Sequence, residues 1–247
     1  LFLSAQKTQL LHGRDSLGDW LDDPEIERAQ YLMDEWKHTE ARAVLVRILK
    51  RSLQREGQLK RRAARFSLYR LLLLRDREPL NLVLAKLDDL APVAPLVALY
   101  LVPWLMRPRV RERLADFLED RERNVFPYLA AWILAAIADQ TGPPTMRILA
   151  YCRSTAHDKN APTYLRTIAA TVLGHGSQVH DVEWLRQEAR REYDPRLVRG
   201  YLVALGRAGR LDAGTALRAR SNVPSIDRTL TYLAGRRDFP SLLTARK

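Results

Sequence analysis

The residues best suited to chemistry in this sequence are arginines and lysines concentrated in one stretch of about thirty residues. Arg47, Arg51 and Arg55 lie four positions apart, so on a helix they stack along one face. A dense row of cations can neutralise phosphates, and each such contact releases counterions and adds a salt-dependent increment to affinity. The sequence therefore predicts a nucleic-acid contact here, and the alternative is a solvated helix face. The predicted contact residues are Arg42, Arg47, Lys50, Arg51, Arg55, Lys60, Arg61, Arg62 and Arg65.

Two further basic runs carry less weight in this prediction. The first comprises Arg107, Arg109, Arg111 and Arg113. Glu112 dilutes its charge, which is typical of a solvated edge at a turn. The second comprises Arg186, Arg190, Arg191, Arg196 and Arg199. Repeat proteins present such residues on one extended surface, so this run is a secondary candidate for contact with a polyanion.

No familiar catalytic constellation occurs in the sequence. Phosphate-binding glycine loops, the dinucleotide fingerprint and the Gly-x-Ser-x-Gly motif are all missing. No two of the five histidines have the spacing of a helical metal site, and the single Cys152 cannot build a thiolate cage, so no metal site is predicted. The acidic pairs Asp22–Asp23 and Asp88–Asp89 stand at predicted helix ends, where carboxylates cap amides and favour the helix dipole.

Composition indicates a folded protein with a polyanionic partner. Hydrophobic residues make up 47% of the 247 residues and charged residues 28%, which excludes a disordered chain. The net charge of +12 attracts nucleic acid first and anionic membranes second, although arginine-rich codon usage explains part of such an excess. One cysteine and no signal-peptide pattern favour the cytoplasm. The apolar run 90–106 contains three prolines and is predicted to be buried helix rather than a membrane span.

The secondary structure after residue 23 is predicted to be helical, with a loose repeat. Asp23, Pro24 and Glu25 form a helix start, and the first helix is expected to run from Pro24 to Lys37 with Trp36 on its apolar stripe. Later helices end in Leu-Gly at 173–174 and again at 205–206, an offset of 32 residues. A period of this length with two helices indicates an all-α solenoid resembling HEAT repeats, and the alternative is an irregular helical bundle.

The first thirteen residues differ from the rest, because two short apolar runs flank a polar turn and predict a β-hairpin. Leu1, Leu3, Lys7, Thr8 and Leu10 resemble motif D, the segment that closes the palm of bacterial reverse transcriptases. Ser4 departs from the asparagine usual there.

A helical array directly after such a segment is similar to the phage-defence reverse transcriptases of the abortive-infection and unknown-group type. The resemblance implies an RNA-directed DNA polymerase in antiviral defence. Lys7 would lie near the incoming dNTP, and Mg²⁺ would be held by palm aspartates outside this chain. The partners implied are an RNA template, a DNA product and the missing palm and fingers portion, without a membrane. The state of association is not readable from the sequence, so a homo-oligomer stays open.

These expectations divide the chain into three parts: the end of a palm at 1–13, connecting helices in the thumb position at 14–60, and a HEAT-like array at 61–247. Two other functions stay open. One is a repeat scaffold that binds a protein partner. The other is a HEAT-like DNA glycosylase, which needs an acidic residue beside an aromatic one; Trp132 with Asp139 and Trp184 with Asp181 are the candidate pairs.

Overall fold

A computed structural model describes residues 23–54, 57–120, 127–139, 143–176 and 178–235, with the backbone alone for 57–60. The regular elements in these ranges are thirteen α-helices and three short 3₁₀ turns, without a strand. The prediction of an all-α chain is confirmed for these ranges. The predicted β-hairpin at 1–13 lies outside the described residues. None of the helices described is long and apolar enough to cross a membrane.

The chain divides into two compact units, Leu1–Arg113 and Leu114–Lys247, called unit 1 and unit 2 here. The described α-helices of unit 1 are α1 Pro24–Asp34, α2 His38–Ser52, α3 Gly57–Leu73, α4 Leu80–Ala85 and α5 Ala94–Leu101. Helix α6, Pro108–Glu119, contains the division between the units. The remaining helices, all in unit 2, are α7 Pro127–Ala138, α8 Met146–His157, α9 Thr163–Leu173, α10 Val179–Arg191, α11 Pro195–Arg207, α12 Ala213–Asn222 and α13 Asp227–Gly235.

Helix α1 begins where the sequence predicts but ends earlier. The Asp23 carboxylate caps it by accepting a hydrogen bond of 3.1 Å from the backbone N–H of Glu25, and Pro24 occupies the first turn. The helix ends at Asp34 instead of Lys37. Trp36, with φ of 57° and 81% of its surface exposed, is not part of a buried stripe. The apolar period continues beyond the helix in sequence, but a left-handed residue ends the helical path.

The core of unit 1 lies between α2, α3 and α5. Helix α2 packs against both α1 and α3, and α3 packs against α5. The middle of the apolar run 90–106, which is predicted to be buried helix, becomes α5, and its residues from Leu96 to Leu101 are all buried. The ends of the run form 3₁₀ turns, and Met106 is exposed. The buried Tyr100 hydroxyl donates a hydrogen bond of 2.8 Å to the Asp76 carbonyl oxygen, which satisfies a polar group inside this core.

In unit 2, every second helix packs against the next helix of the same set. Helix α7 packs against α9, α9 against α11, and α11 against α13, while α8 and α10 pack against α9 and α11 respectively. Helix α7 is buried on all sides from Leu129 to Ala138. This order gives unit 2 two sets of stacked helices, odd-numbered and even-numbered, with every connection short enough to return the chain to the other set.

Two glycines allow α9 and α11 to lie very close together. A Cβ atom on Gly174 would stand 2.5 Å from the backbone oxygen of Ala204, and one on Gly200 would stand 2.9 Å from the backbone oxygen of Thr167. The Leu-Gly ending that suggested a repeat in the sequence therefore includes a position where a side chain has no room. Because Thr167 meets Gly200 and Gly174 meets Ala204, the two helices run parallel.

We expect Gly174→Ala to lower the free energy of unfolding by about 1–3 kcal/mol, since the new methyl group overlaps backbone atoms that cannot rotate away. Gly214→Ala is the matched control, because its Cβ would meet only the end of the Asp212 side chain, at 3.3 Å, within α12. Urea unfolding of both variants measures the difference. Equal stability of the two variants would contradict the close approach of α9 and α11.

Candidate nucleic-acid interface

The predicted contact residues that the structure describes lie on α2 and α3, which pack against each other. Glu40 and Glu56 are the only acidic residues in the sequence between His38 and Leu73, so the positive charge of this stretch is little opposed from within. Lys7 and Arg55 lie outside the described residues, as does the side chain of Lys60. We call the exposed cations of these two helices, namely Arg47, Lys50, Arg51 and Arg61, the basic face.

Arg47 and Arg51 of the basic face share one carboxylate, that of Glu25 in α1. Arg47 Nε lies 3.2 Å from Oε1 and Arg51 Nη1 lies 2.7 Å from Oε2. The two arginine side chains remain 51% and 54% exposed. Arg47 and Arg51 thus lie on the same face of α2 and present both guanidinium groups to the same anion. Arg55, the third residue of the predicted row, lies outside the described residues.

Arg42 and Arg70 have structural contacts that the sequence does not reveal. Arg42 Nη2 lies 3.4 Å from the carbonyl oxygen of Leu74, just beyond the end of α3. Arg70 donates a hydrogen bond of 2.6 Å to Gln30 Oε1, and its guanidinium lies 5.6 Å from the ring centre of Phe66. Both residues therefore connect helices of unit 1 and are less suited to binding a ligand.

Lys50 and Arg61 are the best placed of the predicted residues for contact with a polyanion. Both are exposed, and neither forms an ion pair with any residue that the structure describes. Arg62 and Arg65 are half-buried and have contacts of their own. The cations of α2 and α3 consequently differ: Lys50 and Arg61 face solvent, Arg47 and Arg51 face solvent while bound to Glu25, and Arg42 contacts the carbonyl oxygen of Leu74.

Elsewhere, arginines are neutralised by contacts between even-numbered helices. Arg153 of α8 donates hydrogen bonds of 2.7 and 2.8 Å to the two carboxylate oxygens of Asp181 in α10. Arg186 and Arg190 of α10 approach Asp212, the N-cap of α12, at 3.3 and 3.5 Å. Arg186 and Arg190 belong to the secondary basic run of the sequence. These two arginines therefore link α10 to the start of α12.

The two acidic residues of the glycosylase hypothesis, Asp181 and Asp139, both lie close to an arginine. The side chain of Asp181 is 2% exposed, and burial alone would raise its pKa, yet the hydrogen bonds and charge of Arg153 bring the pKa below its usual value. Trp184 stacks on His157 with ring centres 4.0 Å apart. Asp139 lies 3.9 Å from Arg207. Asp181 therefore acts as an ionised link between helices, with both oxygens engaged.

The functional residue that sequence reasoning missed is Glu25. Its position predicts only an acidic residue in the first turn of a helix, and that is also observed. Its contact with α2 arises from the packing of α1 on α2, and no local pattern encodes which acid meets which arginine. Within the described residues, no group of three or more His, Cys, Asp or Glu side chains could hold a metal ion.

Comparison of the chain with family models, with curated proteins and with solved structures finds no match in any of the three.

We expect Arg153→Met to cost about 2–3 kcal/mol of stability at pH 7, because it leaves the buried Asp181 carboxylate charged, with the exposed His180 imidazole as its remaining ion-pair partner. In the native protein the lowered pKa means that the stabilisation is full above the unfolded value of about 4 and is lost as the pH falls. In the variant, burial raises the pKa, so protonation relieves the cost at low pH. The difference in the free energy of unfolding between the native protein and Arg153→Met should therefore become smaller as the pH falls.

Chemical unfolding of both proteins between neutral and acid pH checks this expectation. Arg218→Met is the control, since Arg218 is exposed on α12 and forms no ion pair with the described residues. A loss that stays constant with pH would contradict a role for the Asp181 charge.

Proposed function

We propose that this chain is a nucleic-acid-binding helical portion of an RNA-directed DNA polymerase, and that the basic face of α2 and α3 holds template or product by its backbone. The observation that carries the binding role is the exposure of Lys50 and Arg61, without described ion pairs, on helices whose own sequence contains so little acid. Binding through charge alone suits a polymerase, which must hold its product whatever the sequence.

The stacked helices of unit 2 support a second part of the proposal, that this region is a HEAT-like repeat array. Helices α7, α9, α11 and α13 pack in succession, and arginine–aspartate contacts join α8 to α10 and α10 to α12. In solenoids, each repeat mainly contacts its neighbours, and this pattern of packing is the expected one. A bundle with a single closed core would instead bring distant helices together.

The polymerase role rests on the resemblance of residues 1–11 to motif D. In that role Lys7 lies near the triphosphate of the incoming dNTP, where a cation neutralises the departing pyrophosphate. The palm and fingers portion supplies the aspartates for Mg²⁺, and RNA and DNA strands are the partners. Antiviral defence follows from the same resemblance, whereas the cytoplasmic setting is proposed from the single cysteine and the missing signal-peptide pattern. Binding to nucleic acid stands independently of these points, because it depends only on the described cations.

The test of the binding role is the affinity for a fluorescent single-stranded oligonucleotide over a series of salt concentrations. We expect binding at low salt that weakens steadily as salt rises. In the double variant Lys50→Gln/Arg61→Gln, affinity at low salt should fall roughly tenfold, and the slope against log salt should become shallower by about 1.4, for two lost contacts.

Lys159→Gln/Arg218→Gln is the matched control, since it removes two exposed positive charges from unit 2. The control should bind nearly as the native chain does. Equal losses in both double variants would show that net charge alone governs binding. No affinity for the oligonucleotide at low salt would exclude the proposed function and would favour a protein-binding scaffold.

A further inference from the structure

The contact of Glu25 with Arg47 and Arg51 has the form of an occupied anion site. Each guanidinium contacts a different oxygen of the same carboxylate, at 3.2 and 2.7 Å. The two arginines come from successive turns of α2, so the helix itself fixes their separation. A single anion with two accessible oxygens is therefore held between two cations that are positioned by one rigid element.

A phosphodiester group has the same requirements as this carboxylate. It carries one negative charge and two non-bridging oxygens, and arginine is the side chain that binds such groups with paired, charge-assisted hydrogen bonds. Both arginines are about half exposed, so a nucleic-acid strand can reach them from solvent. Lys50 lies between them in sequence and is also exposed, which extends the positive surface around the same position.

We propose that Arg47 and Arg51 form a phosphodiester site, and that Glu25 occupies this site in the free protein and is displaced when nucleic acid binds. This inference rests on the proposed function, because it names the ligand group and the regulation of the basic face. The carboxylate acts as an internal competitor: it keeps the arginine pair extended and ready, and it lowers the affinity for strands that do not engage the site fully.

Glu25 is able to leave without disturbing α1. The helix start is held by Asp23, whose side chain accepts a hydrogen bond from the Glu25 backbone N–H, and by the buried residues Ile26 and Ala29. Only the Glu25 side chain has to rotate away. Glu25 is 22% exposed and its two partners about half exposed. Ion pairs near the surface contribute little to stability, so a phosphate contact with the same arginines can offset the release of this carboxylate.

The deciding experiment compares Glu25→Gln with Glu27→Gln in binding of a fluorescent single-stranded oligonucleotide. Both residues belong to the first turn of α1, and both changes remove one negative charge, but Glu27 is exposed and makes no described ion pair. We expect Glu25→Gln to bind about three- to tenfold more tightly at low salt. Its slope against log salt should steepen by no more than about 0.7, since the arginine pair contacts one phosphate and releases the counterions condensed there. Glu27→Gln should change little.

Two further variants complete the experiment. Adding Arg47→Gln and Arg51→Gln to Glu25→Gln should abolish the gain, which assigns it to the pair. Glu25→Asp keeps the charge but shortens the side chain, so it should also bind more tightly than the native chain. Thermal melting curves show whether Glu25→Gln folds poorly, and Glu25→Asp then serves as the test in its place.

The outcomes separate the two proposals. If the native chain binds but Glu25→Gln and Glu27→Gln behave alike, or if the gain survives loss of both arginines, the competitor role is wrong and the proposed function stands. If neither the native chain nor Glu25→Gln binds at low salt, both proposals fail. Binding by Glu25→Gln alone would support the competitor role of Glu25 and would exclude the proposed function of the native chain.

Discussion

The structure depends on which of its arginines form ion pairs with a carboxylate. The chain carries 41 basic and 29 acidic side chains, so acids are the scarcer partner. In unit 2, Asp181 and Asp212 lie at helix starts, and arginines of the preceding even-numbered helix reach them: Arg153 holds Asp181, and Arg186 and Arg190 approach Asp212. These contacts both neutralise charge and fix the spacing of stacked helices. An arginine there is part of the framework.

Unit 1 uses its cations differently. Along α2 and α3 the sequence provides almost no acid, and the carboxylate that does arrive, Glu25, comes from another helix. The result is a face on which Lys50 and Arg61 stay exposed, while Arg47 and Arg51 share one anion that another anion can replace. Because a surface ion pair is weak, the displacement of Glu25 by a phosphate that we propose requires little free energy.

Sequence reasoning succeeded where the determining contacts are local. The start of α1 follows from Asp23, Pro24 and Glu25 alone, and the burial of α5 follows from a run of apolar residues. It failed at Trp36, because the left-handed turn that ends α1 overrides the apolar period.

The sequence predicts which cations belong to the candidate site, but it does not predict which residues of other helices they contact. The spacing of Arg47 and Arg51 shows that they share a helical face, whereas the role of Arg70 depends on Gln30, forty residues away. The Leu-Gly pattern predicts a repeat, and only the packed helices show that Gly174 faces the backbone of Ala204. Contacts between helices depend on how the helices pack, and periodicity does not specify that.

The central claim is that the basic face of α2 and α3 is where nucleic acid binds, and photo-crosslinking tests it most directly. A single-stranded oligonucleotide with photoreactive bases is bound at low salt and irradiated, and the attached peptides are mapped by mass spectrometry. Our account predicts that the crosslinks concentrate in peptides from His38–Ser52 and Gly57–Leu73, and that they fade as salt rises. Crosslinks confined to unit 2 would contradict it.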